Sequence, residues 1–121
     1  AFKYLFFIHD VSKDRLVSGY HFGYEDDLRH LDHGYLSTAE ELAFFLRALN
    51  EGRFFTDKEK QIYSSLYKYG HTGWVLGYQS IARYHVKEDM VVIQFVSTTG
   101  NDVVMLTSIL YDRVVRILRS L

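Results

Sequence analysis

The 121-residue sequence predicts an α+β domain. The expected form is an antiparallel sheet of three or four strands, a long C-terminal helix packed on one face, and two further helices. Three observations carry this. Residues 80–86 alternate in character and residues 90–96 are nearly all apolar, and Lys87-Glu88-Asp89 joins them as a charged turn, which is the pattern of a β-hairpin. Val103, Leu106, Leu110, Val114, Ile117 and Leu121 recur at helical spacing and form one stripe. Two hydroxyl-x-x-Glu boxes, Thr38 to Glu41 and Thr56 to Glu59, mark two more helix starts.

Taken in order, residues 2–8 are rich in strand-favouring aromatics and read as a strand. Residues 9–33 are polar and irregular, a long connection of the kind that is functional or packed as a lid. The helix after Thr38 carries Leu42, Phe45, Leu46 and Leu49 on one face, and Gly52 stands where a left-handed cap is wanted. A shorter helix after Thr56 carries Ile62, Leu66 and Tyr67. Gly70, Gly73 and Gly77 break helical periodicity, so residues 71–75 read as a short strand. The run Met90 to Val96 suits a strand covered on both faces. Asn101 is the expected cap of the last helix, with Arg113, Arg116 and Arg119 as a solvated face near its C-terminus. The length fits one domain spanning 1–121.

Composition narrows the function classes. With 48% hydrophobic residues the chain can bury a core, and disorder is excluded. A formal net charge of −1 argues against nucleic acid as a partner. No run of apolar residues is long enough to insert into a membrane. Zero cysteines exclude disulfides, a thiol nucleophile and thiolate metal ligands. The sequence implies no cofactor and leaves the compartment open.

The polar clusters of the sequence fit ordinary structural roles. His30-x-x-His33, with Asp32 or His21, has the makings of a metal site, yet such pairs arise often by chance and the loop reads as solvated. No metal ligands are therefore assigned. His85 shares a strand face with Arg83 and reads as a surface cross-strand residue. Tyr4, Phe6, Tyr84 and Phe95 at strand period read as core rather than a ligand stack.

Three segments in one order carry a resemblance. His33-Gly34-Tyr35-Leu36-Ser37-Thr38-Ala39-Glu40-Glu41-Leu42 is followed by Phe45-Leu46-Arg47-Ala48-Leu49. His71-Thr72-Gly73 and Gly77-Tyr78-Gln79-Ser80 follow, and then the hairpin from Arg83 to Val92. This order resembles the C-terminal part of the serine β-lactamase and penicillin-binding-protein superfamily, nearest its class C-like branch of esterases and peptidases. The resemblance runs over nearly the whole chain. It implies a partial β-lactamase/transpeptidase-like fold and the C-terminal segment of a serine acyl-hydrolase of β-lactamase, D,D-peptidase or esterase type. It also implies a substrate-binding wall formed by His71, Thr72 and Gly73, with the backbone N–H of Trp74 as an oxyanion donor. Trp74 is large where the family usually has a small residue.

The family's nucleophile is missing from this pattern. Tyr-x-Asn does not occur, and the single Ser-x-x-Lys, Ser65 to Lys68, lies just ahead of His71 rather than far upstream. No catalytic residue is therefore assigned, and the isolated chain is expected to be inactive. The alternative is a non-catalytic interaction or dimerisation module derived from the same fold. The partners expected are a second copy of the chain or the missing N-terminal part of the fold. Either would cover an open edge at residues 90–96, unless residues 2–8 do so. Family members are often exported in bacteria.

Overall fold

The computed structural model describes residues 6–7, 12–29, 35–66 and 70–121. Its largest sheet is an antiparallel meander of β4 (Gly70–Val75), β5 (Tyr78–His85) and β6 (Met90–Val96), in the order β4-β5-β6. The charged turn lies where expected. Val86–Glu88 makes one 3-10 turn and Asp89 closes it in the left-handed region at φ 49°.

Both predicted capping boxes start helices. Thr38 caps α1 (Ala39–Asn50), its Oγ1 accepting from the Glu41 N–H at 3.2 Å. Thr56 caps α2 (Asp57–Leu66) reciprocally: Oγ1 accepts from the Glu59 N–H, and Glu59 Oε2 accepts from the Thr56 N–H at 2.8 Å. Gly52, at φ 71°, ends α1. Its N–H donates to the Leu49 carbonyl, and the Arg53 N–H donates to that of Ala48. That pair of bonds needs a left-handed residue, which is why glycine stands there.

α1 and α3 (Val103–Ser120) cover opposite faces of the sheet. Neighbouring residues of a strand point to opposite sides. Tyr84 meets Arg47 of α1, whereas His85 meets Tyr111 of α3. The core lies under α3, where Val92, Tyr111 and Val115 are buried and Ile81 and Met90 pack against them. On the other face the Arg47 guanidinium bonds both the carboxylate and the backbone carbonyl of Asp89. Tyr84 donates to the same carboxylate, so α1 is tied to the β5–β6 turn.

Within the connection ahead of α1, the described residues 12–29 are tied to the end of the meander. β2 (Tyr20–His21) pairs in parallel with β7 (Thr98–Thr99), and Leu28 is buried. β1 (Phe6–Phe7) pairs with β3 (Tyr35–Leu36) and not with β6. The described part of the expected first strand therefore leaves the outer edge of β6 open, and among the described residues no other strand pairs there.

The last helix departs from the hydropathy reading. Asn101 is not its cap. It sits at φ 52° in the preceding turn, and Asp102 holds the N-cap position without a side-chain bond. The buried residues are Thr107, Tyr111 and Val115, whereas Leu106 and Ile117 of the predicted stripe are 58% and 61% exposed. Polar bonding chose this face. Gln94 Nε2 donates to the Thr107 carbonyl at 2.9 Å, Thr107 Oγ1 donates to Gln79 Oε1 at 3.1 Å, and Tyr111 Oη reaches the Val92 carbonyl at 3.3 Å. A hydropathy stripe counts none of these bonds.

Two further expectations change. Phe95 is exposed, so it is not core, while Tyr84 is half-buried. His85 is not a surface residue but lies half-buried beneath α3. The expected residues Tyr4, Asp32, Tyr67 and Lys68 lie outside the described residues, as do His30, His33 and the side chain of Phe6. No helix among the described residues is long and apolar enough to cross a membrane.

Candidate functional site

All four predicted wall residues fall on β4, at one edge of the sheet. Gly70 opens the strand at φ 128°, and a Cβ there would overlap the Ala82 carbonyl. The turn Leu76-Gly77, with Gly77 at φ 89°, links β4 to β5 and pairs Val75 with Tyr78. A two-residue link makes its closing pair a hydrogen-bonded one, and pairs then alternate down the ladder. Gly73 opposite Ser80 and His71 opposite Ala82 therefore bond inward. Thr72 and Trp74 sit at the intervening pairs, so their backbone N–H and C=O groups point outward along the free edge.

The side chains divide between the two faces. Thr72 and Trp74 stand opposite Ile81 and Gln79, on the α3 side. The indole of Trp74 is 56% exposed. His71 and Gly73 lie on the α1 side. His71 Nδ1 meets the Thr72 carbonyl. The Cβ that Gly73 lacks would fall 2.6 Å from Ser80 Oγ, so a larger residue there would make the Ser80 hydroxyl rotate away.

Behind this edge a groove of about 930 Å³ runs between β4–β5 and α3. His71 and Thr72 line one wall, Arg83 and His85 the floor, and Asp112, Arg116 and Arg119 the helix wall. A polar chain organises the floor. Arg119 donates to His85 Nδ1 at 3.5 Å, so Nε2 carries the proton and donates to Tyr111 Oη at 3.0 Å; that hydroxyl then donates to the Val92 carbonyl. Burial, and then the Arg119 guanidinium, hold the His85 pKa below its ordinary value. Glu88 pairs with Arg119 at 2.8 Å.

Sequence reasoning placed His71 and Thr72 but missed Arg83, His85, Arg116 and Arg119 as neighbours. The available signal was twofold: Arg83 and His85 share a strand face, and Arg116 and Arg119 are three apart on a helix. Only the crossing of α3 over β5 brings the two pairs together. Ser65 lies in the last turn of α2, far from the helix start where the resembling proteins carry their nucleophile. His21 bonds Thr99 Oγ1 at 2.8 Å, and among the described residues no group of three side chains is set to hold a metal.

Compared with protein-family models, with curated proteins and with solved structures, the chain matches none.

Proposed function

We propose that this chain is the C-terminal segment of a β-lactamase-like serine acyl-hydrolase, inactive alone, whose β4 edge forms one wall of an acyl site. The observation that carries the reading is the outward N–H of Trp74 on an edge strand with no partner among the described residues. A backbone donor fixed in a ladder and facing open space can stabilise an oxyanion without reorganising. His71, Thr72 and Gly73 flank it in the order the resembling proteins use.

A second reading, a non-catalytic interaction or dimerisation module, is favoured by the opposite edge. The β5–β6 pairs turn the backbone groups of Val91, Ile93 and Phe95 outward. The α3 flank turned away from the groove carries exposed Leu106, Leu110 and Ile117. An open strand edge beside an apolar helix flank recruits a strand and a helix. Both readings share that partner and differ on whether it brings a nucleophile.

The test uses a fluorophosphonate probe and the Trp74→Pro variant, which deletes one outward N–H at an edge position that tolerates proline. The isolated chain takes no label and hydrolyses neither nitrocefin nor a p-nitrophenyl ester. In the complete gene product an upstream Ser-x-x-Lys serine is labelled, and Trp74→Pro slows labelling by about 10²–10³-fold. Labelling that ignores Trp74→Pro, or an adduct on Ser65 of the isolated chain, overturns the acyl-site reading. A complete gene product with no reactive serine decides for the module.

A further inference from the structure

We infer that the groove between β4–β5 and α3 binds a small organic oxyanion, a molecule with a carboxylate or phosphate-ester head and an apolar body. The inference does not rest on the acyl-hydrolase reading: His71 and Thr72 line the groove as well as the β4 edge, but the anion is held by arginines of β5 and α3 and not by the Trp74 N–H.

Charge is the first argument. The chain as a whole is at −1, yet three guanidiniums, those of Arg83, Arg116 and Arg119, converge on this groove against one carboxylate in its lining, Asp112. Glu88 satisfies Arg119. The Arg83 guanidinium makes no hydrogen bond or ion pair with the described residues. Arg116 spends only its Nε, on the Asp112 backbone carbonyl at 3.4 Å, so among the described residues its terminal fork meets no carboxylate. Two unpaired forks beside a concave surface focus the local field on an anion, and the guanidinium geometry matches a carboxylate or a phosphate.

Geometry is the second. Arg83 sits on β5, within electrostatic reach of Tyr111 and His85, and Arg116 sits one turn beyond Asp112 on α3. The two cations therefore belong to two elements locked together by the His85–Tyr111 bond and the Val92–Tyr111–Val115 core. A cleft held by a sheet on one side and a helix on the other keeps its spacing without a ligand. Its volume of about 930 Å³ exceeds one ion and falls within the roughly 300–1,000 Å³ of small-molecule sites. Tyr111 and Val115 give the groove its apolar side, against which the body of the ligand would lie.

Calorimetric titration of the chain at low ionic strength tests this, with phenyl phosphate and phenylacetate as probes and benzyl alcohol as the neutral control. The expected result is saturable one-to-one binding of at least one anion. Arg83→Gln and Arg116→Gln each weaken it about tenfold or more, and Arg113→Gln, on α3 but outside the groove, changes it less than twofold. Both groove arginines are exposed, so neither variant disturbs the core, and circular dichroism checks that each is folded. Binding of only one of the two anions identifies which head the groove takes. No saturable binding of either anion, equal loss in Arg113→Gln, or equal affinity for benzyl alcohol overturns the inference.

Discussion

Replacing Tyr111 by Phe isolates the bond that joins α3 to the sheet. The ring is 3% exposed and stays in place, while the hydroxyl loses His85 Nε2 at 3.0 Å and the Val92 carbonyl at 3.3 Å. A buried hydrogen bond is worth about 0.5–1.5 kcal/mol net. Two are lost, but the two groups left behind fare differently from a fully orphaned pair. Half-buried His85 can turn to water, and the Val92 carbonyl keeps its ladder bond to Arg83 across the β5–β6 pair. The expected cost is therefore about 1.5 kcal/mol. Tyr111→Ala also removes the ring from the Val92–Val115 cluster and should cost about 3–5 kcal/mol. Urea unfolding followed by far-UV circular dichroism measures both, since Trp74 is exposed and a poor reporter of the core. With a slope of about 1.5 kcal/mol per molar urea, the midpoint falls by about 1 M for Phe and more than 2 M for Ala. A Phe variant indistinguishable from the parent, or equal to the Ala variant, would refute the assignment of the polar chain as the clamp.

Two other expectations follow from the same structure. His85 is held neutral by burial and by Arg119, so its folded pKa lies below the ordinary value of about 6.5. The unfolded state then binds the proton first, and stability is full above about pH 6.5 and declines as the pH falls below it. Urea midpoints between pH 8 and pH 5.5 should show that decline, and His85→Gln should flatten it; an identical slope in both proteins removes His85 from the cause. Gly52→Ala should destabilise by about 1–2 kcal/mol, since φ is 71° and the new Cβ lies 2.9 Å from Lys60 Cε. Gly23→Ala, at φ 88° with nothing within 4 Å of its Cβ, is the control for backbone strain alone, and a Gly52→Ala loss no larger than this control rejects the steric part.

Local signals were legible in the sequence. Thr38, Thr56 and Gly52 act within a few residues of themselves, so the chain announces α1 and α2 directly. The β5–β6 hairpin is legible for the same reason: both strands and their charged turn are contiguous. What hydropathy misplaced depends on partners far along the chain. Leu106 and Ile117 outrank Thr107 and Tyr111 in apolarity, yet only the latter pair finds Gln79, Gln94, His85 and the Val92 carbonyl across the gap. The candidate site divides the same way. His71 to Trp74 form one motif and could be named from the sequence, whereas Arg83 and Arg116 become neighbours only through a crossing that no local pattern encodes.

The parallel pairing of β2 with β7 has a kinetic consequence. It brings His21 against Thr99, 78 residues apart, whereas the β5–β6 hairpin closes over a four-residue turn. Loop closure grows as the logarithm of length, so the first contact costs roughly 2–3 kcal/mol more chain entropy than the second. The meander and α3 can therefore form while residues 12–29 are still searching, and the buried Thr99 hydroxyl acquires His21 only when that segment arrives. The Tyr20 and Phe22 amides, bonded to Ser97 and Thr99, then belong to the last unit to fold and the first to open. On that ordering, the β4 edge and the α3 groove are assembled before residues 12–29 dock against β7.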